Sequence, residues 1–129
     1  MMKALQYYKY CSSHIDLANE QIACHHKGHD EAIAKGYPEA AQRWSQLIQE
    51  WEAEKQALED FMASVRAQIR LVRNKEYQEV LEKRYLEGMT EAEILECLGY
   101  SRWKFIKLIN AANHAYMRTC GPHPKLPYR

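Results

Sequence analysis

The chain has 129 residues, 47% of them apolar and 27% charged, with a formal net charge of +1. That composition excludes wholesale disorder and fits one domain, or one small domain with an extended arm. No apolar run approaches the ~20 residues of a membrane span, and the start (Met1-Met-Lys-Ala-Leu-Gln) lacks the apolar core of a signal peptide, so a cytoplasmic protein without a membrane partner is expected. Four prolines stand at 38, 122, 124 and 127, which leaves Glu39 to Gly121 free of proline and favours long helices. Cysteines 11, 24, 97 and 120 are expected as reduced thiols in that compartment.

The first helix is expected over about residues 3–26. Met1, Tyr8, Ile15 and Ile22 recur at sevens, with Ala4, Cys11, Ala18 and His25 as a smaller interleaved row. Residues 27–37 carry Gly28 and Gly36 and read as a connector before Pro38, a residue suited to a first helical turn. The second helix is expected over about 38–73. Trp44, Trp51, Leu58, Val65 and Val72 recur at sevens, with Ile48, Met62 and Ile69 at offset positions and Leu47 and Phe61 widening the stripe. A repeat held over four heptads predicts supercoiling with a partner helix. The first helix folding back is the favoured partner. The remaining stripe from Val65 to Val72 is then available to a second subunit, which makes a homodimer through the arm the expected assembly.

Beyond residue 73 the punctuation is dense. Asn74 is a candidate N-cap with Glu76 in the first turn, and Tyr77, Val80, Leu81 and Tyr85 share a face. Gly88 is the expected left-handed stop. Thr90 and Glu93 have the spacing of a capping box before Ile94, Leu95 and Leu98. Gly99 ends that helix and Ser101 caps the last, whose core face is Phe105, Leu108, Ile109, Ala112 and Tyr116. A proline-rich, mobile tail is expected over 120–129. Three short helices folded on one another, the last of them basic, are a common reader of a DNA groove.

Charge supports that reading. Residues 99–129 hold Arg102, Lys104, Lys107, Arg118, Lys125 and Arg129 and no acid, whereas residues 76–96 hold seven Glu against Lys83 and Arg84. In a major groove Arg102 would read guanine, Lys104 and Lys107 would meet phosphates, and Asn110 could reach either. The amides at Thr90 and Ser101 start helices and could hold phosphates. Trp103 is left open between stacking on DNA, packing on a partner protein, and burial.

Other chemistry is weaker. Cys11, His14, Cys24, His25, His26 and His29 lack the paired spacing of structural zinc sites, and histidines sit well at a helix C-terminus. No phosphate-binding glycine loop, nucleophile elbow or paired-histidine protease motif occurs. Neither an enzyme nor a cofactor or metal protein is expected.

The run Val80-Leu81-Glu82-Lys83-Arg84-Tyr85-Leu86-Glu87-Gly88-Met89-Thr90, followed by Ile94 and Leu98-Gly99-Tyr100-Ser101-Arg102, resembles the helix-turn-helix of sigma factor region 4. Joined to an N-terminal helical arm, it resembles the ArpU-like regulators of phages and prophages. Lys83 and Leu95 depart from the family pattern, which usually has an apolar residue and an alanine there. The resemblance implies an all-α protein with an antiparallel helical hairpin over 1–73 and a trihelical helix-turn-helix over 74–119. It further implies a phage- or prophage-encoded regulator of late genes in a bacterial host, with double-stranded DNA as partner and RNA polymerase as a further one. Two rival readings remain. One is a small-terminase-like DNA-packaging protein; the other is an interaction module that binds RNA polymerase or a sigma factor without touching DNA.

Overall fold

A computed structural model describes residues 3–120. Every regular element among them is helical: α1 (Lys3–Lys35), α2 (Pro38–Arg70), α3 (Lys75–Leu81) continuing into a π-helical turn (Glu82–Leu86), α4 (Glu91–Leu98) and α5 (Arg102–Cys120). No described helix is long and apolar enough to cross a membrane. The tail expected at 120–129 falls, from 121 onward, outside the described residues. The described chain gathers into two compact units, one formed by Cys11–Asp60 and the other by the residues up to Tyr10 together with those from Phe61 onward.

In the Cys11–Asp60 unit, the connector expected at 27–37 is helix. α1 passes the stop expected near His26 and ends at Lys35, and the turn is only Gly36 and Tyr37. Gly36 adopts a left-handed φ of 77°, which a residue without Cβ tolerates, and the Tyr37 amide donates to the Ala32 carbonyl at 2.8 Å. Gly28 does not break the helix, because a packing partner uses its missing side chain. A Cβ there would lie 2.5 Å from Trp44 Cε2. His25, one turn earlier, places its ring centroid 5.2 Å from that of Trp44. Ala18, Ala32 and Ala41 are buried with Ile48 and Leu58, so small side chains make room for large ones. Trp44 and Trp51 are half-buried, and Leu47, expected to widen the stripe, is exposed.

The second unit holds Val65, Ile69, Val72, Val80, Leu81, Ile94, Phe105, Ala112 and Tyr116 in its core. Tyr7 meets Phe61 edge to face at 5.4 Å between ring centroids, and Arg66 donates to the Tyr8 hydroxyl at 2.9 Å. The Tyr116 hydroxyl donates to Gln68 Oε1 at 2.6 Å, and Cys120 Sγ donates to the Gln68 carbonyl at 3.2 Å. The expectation that Val65 to Val72 stays available to a second subunit is therefore corrected. Val65 and Ile69 are 0% exposed and Val72 is 1% exposed within this unit. Phe61 is buried and Met62 half-buried.

α2 stops three residues before the expected Arg73. Its last turn tightens, with Leu71 and Val72 amides donating to the Gln68 and Ile69 carbonyls. The Gln78 side-chain Nε2 then donates to the carbonyls of Arg70 and Val72, satisfying groups that a helix end leaves open. The Asn74 side chain accepts from the amides of Glu76 and Tyr77 and starts α3. The following π turn is closed by the Glu87 amide on Glu82 at 2.8 Å and the Met89 amide on Lys83 at 2.9 Å, with Gly88 at φ 68°. Arg84 donates to the Met89 carbonyl at 3.1 Å, so its guanidinium holds this loop. The Tyr85 hydroxyl reaches Asn113 on α5 at 3.3 Å.

Candidate functional site

The basic helix α5 is set by local chemistry at its start and by packing on one side. Thr90 caps α4 with both bonds of the capping box in place. Gly99 ends α4 at φ 69°, and Ser101 Oγ accepts from the Lys104 amide at 3.1 Å, starting α5 after a three-residue turn. α5 lies mainly against α3 and touches α4 more lightly. Phe105, Ala112, Ala115 and Tyr116 are its buried face, while Leu108 and Ile109, expected in the core, are half-buried.

The rest of the helix surface near its start is open. Arg102, Trp103, Lys104, Ile106, Lys107 and Asn110 are all exposed. Trp103, ambiguous in sequence, is 70% exposed. Along that surface the cations have soft internal partners. Arg102 Nε stands 3.2 Å from Glu91 Oε1. Lys104 Nζ lies 4.0 Å from Glu76 Oε2 and 4.3 Å above the Tyr100 ring. Lys107 Nζ sits 4.4 Å above the Trp103 ring. Exposed ion pairs and cation–π contacts of this kind contribute up to about 1 kcal/mol each, so a polyanion can compete for every one of these cations.

Glu76 does double duty, because it also accepts from the Tyr100 hydroxyl at 3.2 Å. Burial, then the bond to Glu76, raise the Tyr100 pKa above its ordinary value and keep the phenol a donor. Tyr77, Trp103, Lys104, Lys107, Leu108 and Ala111 line a groove of about 330 Å³ between α3 and α5. Sequence reasoning missed Glu76 and Glu91 as parts of this surface. Their spacing from Lys104 and Arg102 has no helical period, and only the fold brings them together.

Thr90 does not serve as expected. Its amide donates to Glu93 Oε1 at 3.0 Å, so a phosphate would have to displace that carboxylate. The amide and hydroxyl bonds of Thr90 lower the Glu93 pKa. Lys83 Nζ lies 3.8 Å from Glu87 Oε2, one helical turn on.

All four cysteines are thiols rather than disulfides; Cys24 and Cys97 are exposed and Cys11 is buried. Burial pushes the Cys11 thiol up to about 11. Among the described residues no group of three or more His, Cys, Asp or Glu side chains is arranged to hold a metal ion. His25 packs on Trp44, and His29 Nδ1 lies 3.3 Å from Asp30. No protein-family model, curated protein or solved structure matches the chain significantly.

Proposed function

We propose that the chain is a sequence-specific DNA-binding regulator of phage or prophage transcription that lays the exposed face of α5 in a major groove. One observation carries the reading: Arg102, Trp103, Lys104, Lys107 and Asn110 are all exposed on a helix that is anchored by the buried Phe105, Ala112, Ala115 and Tyr116. Residues near the start of such a helix reach base edges, and those further along reach phosphates. α5 carries no acidic residue, so its own charge is all of one sign. The phage setting and the regulatory role rest on the resemblance to ArpU-like proteins and sigma factor region 4. So does the division into an arm up to residue 73 and a helix-turn-helix at 74–119.

Three phosphate contacts give a log–log salt slope of about −2.7, so affinity falls roughly 40-fold between about 50 and about 200 mM salt. Binding that weak gains from a second half-site or from RNA polymerase bound alongside. The test is filter binding of duplexes selected from a random pool, with salt titration. The reading expects retention by wild type and its loss when Arg102, Lys104 and Lys107 are replaced by Ala. Equal retention by the triple variant rejects it.

One observation favours a second reading. Glu76 and Glu91 border the basic face, and the groove beside Trp103 has apolar walls. An interaction module that seats an apolar segment of a polymerase or sigma factor beside Trp103 fits those features. Retention of such a partner without any retention of DNA would select it.

A further inference from the structure

We infer that Glu91 is the positioning residue that makes Arg102 a guanine reader. This rests on the DNA-binding reading above and goes beyond it, by naming the residue outside α5 that sets specificity. Arginine carries five N–H donors, and the two terminal nitrogens form the fork that matches the O6 and N7 acceptors of guanine. The Glu91 contact is made at Nε, on the other edge of the guanidinium, at 3.2 Å. The contact leaves both terminal nitrogens unclaimed by it. Arg102 is the first residue of α5, where base edges come within reach, and its side chain is 77% exposed.

Glu91 is itself well placed to orient a partner. It is the first residue of α4, directly after the Thr90 cap, so its backbone is fixed by the capping box. Its Oε1 atom is buried and accepts no hydrogen bond, so the approach of Arg102 is Coulombic rather than a directed bond. That attraction biases the guanidinium toward the start of α5 without spending its fork. Lys104 also has a carboxylate nearby, Glu76 at 4.0 Å, but neither it nor Lys107 carries a fork to orient. Their ammonium groups lie over the Tyr100 and Trp103 rings as point charges, which suits phosphate and carries no base preference.

A carboxylate beside a DNA-facing cation also repels phosphate. Glu91 thus weakens binding to all sequences while sharpening the choice among them, and the two effects have opposite signs. Glu91→Gln keeps the shape and removes the charge. It is expected to raise affinity for random duplex about 2- to 5-fold and to lower the preference for guanine at one position at least about 3-fold. A good bidentate pair discriminates by about 5- to 150-fold in all.

The experiment is selection of bound duplexes from a random pool by wild type, Glu91→Gln and Arg102→Lys, followed by binding curves on the chosen duplex and its guanine-substituted partner. Arg102→Lys retains charge but not the fork, and is expected to keep the salt slope and lose the guanine preference. A merely structural role for Glu91 would lower both affinities together, with loss of helicity. If wild type binds no duplex, the DNA-binding reading fails and this inference with it. If wild type binds with a guanine preference that Glu91→Gln keeps in full, the inference alone is overturned, whatever Arg102→Lys does.

Discussion

Gly28→Ala is the sharpest test of the packing in the Cys11–Asp60 unit, because two opposed effects predict opposite signs. In an exposed helix interior the change stabilises by about 0.8–1.0 kcal/mol, since glycine loses more backbone freedom on folding. Here the new Cβ would stand 2.5, 2.7 and 2.8 Å from Trp44 Cε2, Cζ2 and Cδ2. Carbon atoms prefer about 3.5–4.0 Å, so the ring must retreat by roughly 1 Å. An indole is rigid, and His25 packs against the same ring. Overpacking of this sort costs about 1–3 kcal/mol. The clash therefore wins, and the net expectation is a loss of about 1 kcal/mol, or a melting temperature lower by about 3–5 °C. Thermal melts followed by far-ultraviolet circular dichroism read it. In a Trp44→Ala background the sign reverses, and Gly28→Ala raises stability by about 1 kcal/mol, giving a coupling near 2 kcal/mol. A higher melting temperature for Gly28→Ala with Trp44 intact would refute the account of why α1 runs through this glycine.

Lys104→Ala and Lys107→Ala are each expected to flatten the log–log salt slope by about 0.9 without changing base preference, which salt titrations of duplex binding measure. Glu76→Gln removes the acid near Lys104 and is expected to raise duplex affinity about 2- to 5-fold at low salt, read by the same binding curves. The Tyr116 phenol has its pKa raised by burial first and by nearby Cys120 second. A raised folded pKa contributes stability that is complete below the unfolded value, about 10, and is lost as pH rises beyond it. Denaturant melts from pH 8 upward should show a decline that Tyr116→Phe reduces, alongside a loss of about 1–2 kcal/mol at neutral pH from stranding Gln68 Oε1. Alkylation read by mass spectrometry should modify Cys24 and Cys97 quickly and Cys11 slowly, because burial holds the Cys11 thiol near 11.

What could be read in advance was local chemistry. Asn74, Gly88, the Thr90–Glu93 pair, Gly99 and Ser101 behave as their types and spacings require, since a cap depends on residues within four of each other. The failures share a different cause. Gly28 looked like a breaker because its use is a contact with Trp44, 16 positions away in the chain. The stripe from Val65 to Val72 has heptad spacing, and nothing in that spacing says which partner takes it; residues up to Tyr10 and those of α3 to α5 share its unit. The π turn could not be foreseen either, because Glu82–Leu86 has ordinary helix formers and the extra residue is absorbed by bonds around Gly88. At the candidate site the cations were legible from charge and the acids beside them were not. Arg102 and Glu91 are 11 residues apart, with a turn between them. The outward direction of Trp103 also needed the fold, since its neighbour Lys104 and the buried Phe105 two residues on leave either side of the helix open to it.

The most direct test of the central claim is a titration of isotope-labelled protein with the selected duplex, following each backbone and indole amide by nuclear magnetic resonance. The account predicts salt-sensitive shifts concentrated at Ser101–Asn110, with the Trp103 indole among the largest. Shifts centred on Ile33, Tyr37 and Trp44, or a spectrum unchanged by saturating duplex at low salt, would contradict it.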